Sequence, residues 1–169
     1  MMAAKLKREI RQTRPFKSVE QDVFLSIQKT AGSLMDELAE MLKPHGISAT
    51  QYNVLRILRG AGAGCCDGHA DPGAKGIACR EIGERMITRD PDMTRLLDRL
   101  EDRGLIVRGR DHADRRVITS RITQAGLELL KSLDEPLLDL HERQLGHLSN
   151  QKLNTLLKLL ESTRNRDTN

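Results

Sequence analysis

The sequence predicts a mainly α-helical fold that carries one small β-hairpin. Three observations lead there. Apolar residues recur at helical spacing through most of the chain, as at Met93, Leu96, Leu97 and Leu100. The period changes to two in one region only, between Leu105 and Ile122. Breakers separate the helical runs, notably Pro44-His45-Gly46 and Gly104.

Composition narrows the class. A chain of 169 residues fits one domain, or one subunit of an intimate dimer. Hydrophobic residues make up 38% but aromatics only 2%, so the core must be aliphatic and mostly leucine. No run of about 18 apolar residues exists to span a membrane. The first residues are charged and lack the apolar segment of an export signal, so a cytoplasmic location is expected. Three cysteines in such a chain argue against a disulfide framework. The net charge of +4 points toward a polyanionic partner without establishing one. Between Lys75 and Lys131 every cation is an arginine. The planar guanidinium suits bidentate contacts with guanine edges and phosphates, although a genome-wide composition bias gives the same count.

Residues 1–17 set Lys5, Lys7, Arg8, Arg11, Arg14 and Lys17 against Glu9 alone. They read first as a disordered basic tail, and second as an arm lying on a polyanion or across a partner subunit. Ser18-x-x-Gln21 is a capping-box pattern that opens a long helix with Val23, Ile27, Leu34, Leu38 and Leu42 in one stripe. At about 25 residues it exceeds the usual globular length. Ser48-x-x-Gln51 opens the next helix, with Val54, Leu55, Ile57 and Leu58 inward and an end at Gly60. Tyr52 reads as plain core or, together with His45, as the lining of an effector pocket between these helices.

Residues 61–78, AGAGCCDGHADPGAKGIA, are too rich in glycine and small residues for a regular element. A loop of about 18 residues is unusual in a compact domain. It gathers Cys65, Cys66, Asp67, His69 and Asp71, but adjacent cysteines lack the C-x₂-C spacing of a zinc site, so no metal is assigned. A passive insertion is the first reading, and a thiol switch at Cys65 and Cys66 the second.

Next comes a short helix from Cys79, with Ile82 and Met86 facing inward, followed by a turn at Thr88-Arg89. Asp90 is placed as the cap of the following helix, with Pro91 at its first position and Asp92 in its first turn. Thr94, Arg95, Asp98 and Arg99 lie opposite its apolar face, and Gly104 ends it. Leu105–Arg108 and Val117–Ile122 are β-branched strands flanking a loop, 109–116, too polar to be buried. Two helices and a hairpin of this kind make a winged helix-turn-helix. Such a unit can set the second helix in the DNA major groove and the arginine-tipped wing on phosphates or in the minor groove. Residue types alone leave open a solvated helix face beside an ordinary charged hairpin.

The paired segments TRLLDRLEDRGLIVR and DHADRRVITSRITQAG resemble the core signature of the MarR family of winged-helix transcriptional regulators. The signature joins a helix ending in LxxxGL to a D-x-x-D-R-R wing and a closing T-x-x-G, and the resemblance runs from about residue 20 to 162. It implies a homodimer on palindromic operators, of a kind that often answers to small molecules or oxidants. It implies DNA contacts by Thr94, Arg95 and Arg99, a minor-groove contact by Arg116, and an Asp114 that steadies that arginine. Arg89 and Arg115 complete the expected DNA-binding set. The loop is longer than the family's usual connection, and Cys79 stands where serine or threonine is common, so that helix's cap is expected to be weak.

Thr123 is expected to cap a helix that Pro136 kinks or splits near Glu135. Leucines resume at Leu137, Leu138, Leu140 and Leu145, with His141 and His147 read as surface or interface residues. Ser149 begins a last helix with Leu153, Leu156, Leu157 and Leu160 on one face. That is more leucine than one small subunit covers, and a two-fold dimer is the common solution. The organisation read from the sequence is a basic arm (1–17), a dimerisation helix (18–46), a winged helix-turn-helix (47–123) and C-terminal dimerisation helices (124–169). The expected function is a homodimeric regulator of double-stranded DNA, a repressor by family expectation, relieved by a small molecule or oxidant. The alternative is a winged helix that binds protein without reading DNA. No nucleophile-base pair or phosphate-cradling loop supports an enzyme, and no cofactor is expected.

Overall fold

In the computed structural model, residues 3–62, 76–88, 90–111 and 114–165 are described. The first of them form a short helix, α1 (Ala3–Glu9), with Leu6 buried as the chain rests on the next helix. The basic arm is thus partly folded, where a disordered tail was the first expectation, because Leu6 finds an apolar seat. Helix α2 (Val19–Leu42) starts at Ser18, whose hydroxyl accepts the Gln21 N–H at 3.3 Å. Leu42 is its one buried residue, while Val19, Val23, Phe24, Ile27 and Met35 remain exposed. A 3₁₀ turn, Lys43–His45, ends at Gly46 with φ +67°, the left-handed conformation that glycine adopts without strain. Helix α3 (Ala49–Ala61) carries a full capping box between Ser48 and Gln51 and runs one residue past the expected stop at Gly60.

The core lies beneath α3 and is aliphatic throughout. Val54, Leu55 and Leu58 meet Ile82, Leu97, Leu100 and Ile106 there, closed on the far side by Leu130, Leu133 and Leu137. Helix α4 (Cys79–Arg85) begins at Ala78 with no side-chain cap, in line with the weak start expected at Cys79. Helix α5 (Met93–Asp102) begins two residues later than expected. Its cap is Asp92, which accepts the Arg95 N–H at 3.2 Å, while Asp90 takes the Asp92 N–H at 2.8 Å in the preceding turn. Either aspartate can cap, and the choice falls to the one whose i+3 amide opens the apolar-faced helix.

The hairpin is β2 (Ile106–Arg110) with β3 (Ile118–Ile122), antiparallel and in the register Arg108↔Ser120. A third, two-residue strand, β1 (Ile77–Ala78), pairs with β3 and gives the order β1-β3-β2. It occupies the end of the stretch expected to be loop. Ile77 is buried, and Gly76 admits the close approach: a Cβ there would lie 2.7 Å from the Thr119 Cβ.

Thr123 caps α6 (Gln124–Leu145), accepting the Gly126 N–H at 3.2 Å and donating its hydroxyl proton to the Gly104 carbonyl at 2.7 Å. Pro136 does not split this helix, as one expectation held. A proline in a helix interior costs about 3 kcal/mol. Leu130, Leu133, Leu137 and Leu140 are buried on either side of it, at about 1.5–3 kcal/mol each, and outweigh that loss. Gln144 donates to the Leu34 carbonyl at 3.1 Å and ties α6 to α2. Helix α7 (Asn150–Arg164) has no buried residue, and Leu156, Leu157 and Leu159 are exposed on it. No helix among the described residues is long and apolar enough to cross a membrane.

Candidate nucleic-acid interface

Leu96, Leu97 and Leu100 anchor α5 in the core, so rotation of about 100° per residue turns Thr94, Arg95 and Arg99 outward, where all three are exposed. Arg95 is only loosely held, 3.8 Å from Asp92, and its side chain is 71% exposed. It is therefore free to reach a partner. On α4 the cations are engaged: Arg80 pairs with Glu84 at 3.0 Å and Arg85 with Glu81 at 2.5 Å. Among the described residues, the more loosely held guanidinium groups thus lie on the second helix of the pair. Arg89, expected among the contacts, lies outside the described residues.

The wing tip is shaped by two aspartates. Asp111 accepts the Asp114 N–H at 3.1 Å, and the Val117 N–H returns to the Asp114 carbonyl at 2.9 Å. Asp114 then takes three bonds from Arg116: the backbone N–H at 3.0 Å, Nε at 3.2 Å and Nη2 at 3.2 Å. The guanidinium contact, and after it the backbone N–H, holds the Asp114 carboxyl below the ordinary aspartate value. Arg116 is 91% exposed, so the pair directs a side chain in solvent. Arg115 is exposed beside it.

Sequence reasoning missed the contact that joins helix to wing. Arg108, on β2, donates Nε to Glu101 at 2.7 Å and lies 2.6 Å from both Asp98 and Glu101 through Nη2. Its backbone N–H goes to the other Glu101 oxygen at 3.0 Å. Arg108 thereby holds the Glu101 carboxyl below its usual range, first through the side chain and second through the backbone. Asp98 is thus part of this clasp and does not belong with the free outward face. A signal was present: two acids three apart on a helix repel unless a cation lies between them.

Of the other expected residues, His45 lies half-buried in the 3₁₀ turn and Tyr52 half-buried at the edge of the core. Burial pushes the Tyr52 hydroxyl pKa up, against the pull of Arg59 and Arg56. Arg59 reaches both oxygens of Asp134, at 2.9 and 3.0 Å, and so bonds α3 to α6. A surface cleft of about 470 Å³ opens between α2 and α6, lined by Asp36, Glu37, Glu40, Met41, Leu140 and Arg143, and neither His45 nor Tyr52 lines it. Cys65 and Cys66 lie outside the described residues. No group of three metal-ligating side chains forms among the described residues.

A MarR transcription factor from Planctomyces limnophilus is 40% identical, with a TM-score of 0.62, over 86% of this chain and 98% of that protein. The chain belongs to the MarR family. The MarR family model matches residues 72–118, the stretch from β1 through α5 into the wing. The transcriptional repressor MdtR of Bacillus subtilis (strain 168) is 31% identical over 105 residues, covering 62% of this chain and 59% of MdtR. A MarR variant from E. coli, solved in complex with operator DNA, is 25% identical with a TM-score of 0.69, over 81% of this chain and 89% of that one. This MarR-family chain is a transcriptional regulator with a winged-helix fold.

Proposed function

We propose that the chain acts as a homodimeric repressor that reads a palindromic operator with α5 and steadies itself on the duplex with the wing. The observation that carries this reading is the clasp at Arg108, which makes one body of two outward cationic features: the Thr94, Arg95 and Arg99 face, and Arg116 held by Asp114. Arg89 and Arg115 complete the proposed contact set. The E. coli relative in complex with operator DNA supports the DNA partner, and MdtR, a repressor, supports the sign of the response. The exposed apolar residues of α2 and α7 support a second copy as the partner of those faces. A regulator of this kind works in the compartment that holds the DNA, the cytoplasm in a bacterium.

Relief of repression is part of the proposal. A small apolar molecule lodged among α2, α3 and α6 beside Tyr52 and His45 acts only by favouring one arrangement of these helices over another. An oxidant acting at Cys65 and Cys66 is the second route.

Operator affinity against a library of single-base variants tests the groove assignments. Arg95→Ala should lose about 1–3 kcal/mol and relax preference at one or two base pairs of each half-site. Arg116→Ala should weaken binding to many sequences alike, because the minor-groove edge pattern is degenerate. Reversed outcomes overturn the assignments. Affinity independent of salt and sequence leaves the protein-binding alternative standing.

A further inference from the structure

Among the described residues, two sets of directed side-chain bonds tie α5 to other elements, and only the wing clasp has been assigned so far. The other is Arg103, the residue that ends α5. Its guanidinium donates Nη2 to the His45 carbonyl at 3.0 Å and Nη1 to the Gly46 carbonyl, 58 and 57 residues away. Those carbonyls close the 3₁₀ turn that continues α2 without a break. Gly46 has φ +67°, the left-handed conformation that favours glycine, and a Cβ built on it would make only ordinary contact with the Arg103 Nη2, at 3.5 Å.

We infer that Arg103 is a positioning residue for DNA reading, the joint through which α2 sets the angle of α5. This rests on the proposed reading of α5 and of α2 as part of the dimer interface. The leucines beneath α5 set its depth and which face turns outward, but apolar contact is non-directional and holds the tilt of the helix less tightly than a directed bond does. A planar fork on two adjacent carbonyls is directional and fixes the position of one helix end. Ten residues of helix span about 15 Å, so a shift of about 1 Å at the Arg103 end tilts the helix by about 4°. That moves Arg99, about 9 Å from the pivot, by about 0.6 Å, beyond the roughly 0.5 Å tolerance of a bidentate contact, while Arg95 near the pivot moves less. The Arg108 clasp makes the wing follow, since it bonds β2 to the same helix. In a dimer built on α2, the α2–α5 angle sets the distance between the two reading helices. Half-site spacing is a direct consequence of that distance.

The test is parallel selection from a random-sequence DNA library with the full-length wild type, Arg103→Ala and Arg103→Lys, beside melting curves in the absence of DNA. Wild type should enrich one half-site spacing. Arg103→Ala should keep the same half-site letters and wild-type melting, yet enrich two or more spacings, with affinity for the wild-type operator reduced about threefold to tenfold. Arg103→Lys, which can still donate to one carbonyl at a time, should fall between them, and it carries the test if the alanine variant does not fold. An unchanged spacing profile overturns the inference, whether affinity is intact or uniformly lowered with a lower melting temperature. A wild type that enriches no motif at all overturns the DNA reading itself, a result distinct from the previous one.

Discussion

Gly126→Ala sets two effects of known size against each other. Gly126 is the third residue of α6, where alanine would gain up to about 1 kcal/mol in helix propensity. A Cβ at this position meets the Leu105 carbonyl oxygen in hard overlap and lies 2.7 Å from the Ile122 Cγ1. One obstacle is backbone, so the helix must lift from the hairpin base. Lifting strains three bonds at that corner: Thr123 N–H to Leu105 O at 3.1 Å, Thr123 hydroxyl to Gly104 O, and Gly126 N–H to Thr123. Overpacking costs about 1–3 kcal/mol and each weakened bond about 1 kcal/mol or less, so the loss exceeds the gain. The expected net destabilisation is about 2–3 kcal/mol, or a melting temperature lower by roughly 5–10 °C for a chain of this size. Gly83→Ala is the control, since nothing lies within 4 Å of a Cβ there, and it should stabilise by about 0.4–1 kcal/mol. Calorimetry of both variants without DNA decides. A Gly126→Ala protein melting at or above wild type would refute the close-approach reasoning.

Three further outcomes are expected. Glu101 has a lowered carboxyl pKa in the folded state, so its clasp contributes stability that is present above its ordinary value near 4.5 and is lost as pH falls through the lowered folded value. Glu101→Gln should flatten that acid dependence and weaken operator binding severalfold, as urea unfolding from pH 3 to 7 and a binding titration at pH 7 will measure. Truncation after Asn150 removes the exposed leucines of α7, and sedimentation should then find monomer or aggregate; a truncated chain that remains a DNA-binding dimer contradicts the proposed interface. Replacing Cys65 and Cys66 with serine should leave DNA affinity in reducing buffer unchanged, and peroxide release of wild type alone would make these thiols a sensor.

How much was legible depended on the range of the interaction. Local rules located the capping box at Ser48 and Gln51, the Thr123 cap and the apolar face of α5, because each is decided within one or two turns of chain. They chose the wrong aspartate for α5, since Asp90 and Asp92 are both competent caps two residues apart: Asp90 closes the preceding turn and Asp92 caps the helix. They overrated Pro136, whose local penalty is outweighed by leucines buried against α3 and the core. Strand β1 was hidden because two residues carry no period; its partner Ser120 lies more than forty positions downstream.

The same distinction explains which parts of the candidate site the sequence could supply. The outward face of α5 and the Asp114–Arg116 pair are short-range features, and their residue types state their chemistry. The contacts that orient them join different elements. Arg103 spans from the end of α5 to the turn after α2, while Arg108 reaches back across the Gly104 turn to Asp98 and Glu101. Nothing in the sequence marks either one out where arginine is the only cation between Lys75 and Lys131. The proposed DNA contacts and the structural clasps therefore share one residue type here, and a count of arginines overstates the charge that would be offered to DNA. Arg80, Arg85, Arg103 and Arg108 are bonded within the subunit away from the proposed contact set, whereas Arg95, Arg99, Arg115 and Arg116 are exposed on the proposed reading surface, Arg95 and Arg116 beside Asp92 and Asp114. If only the second group neutralises phosphates, the salt dependence of binding will follow those four per subunit, and substitutions in the first group will change geometry with little change in that slope.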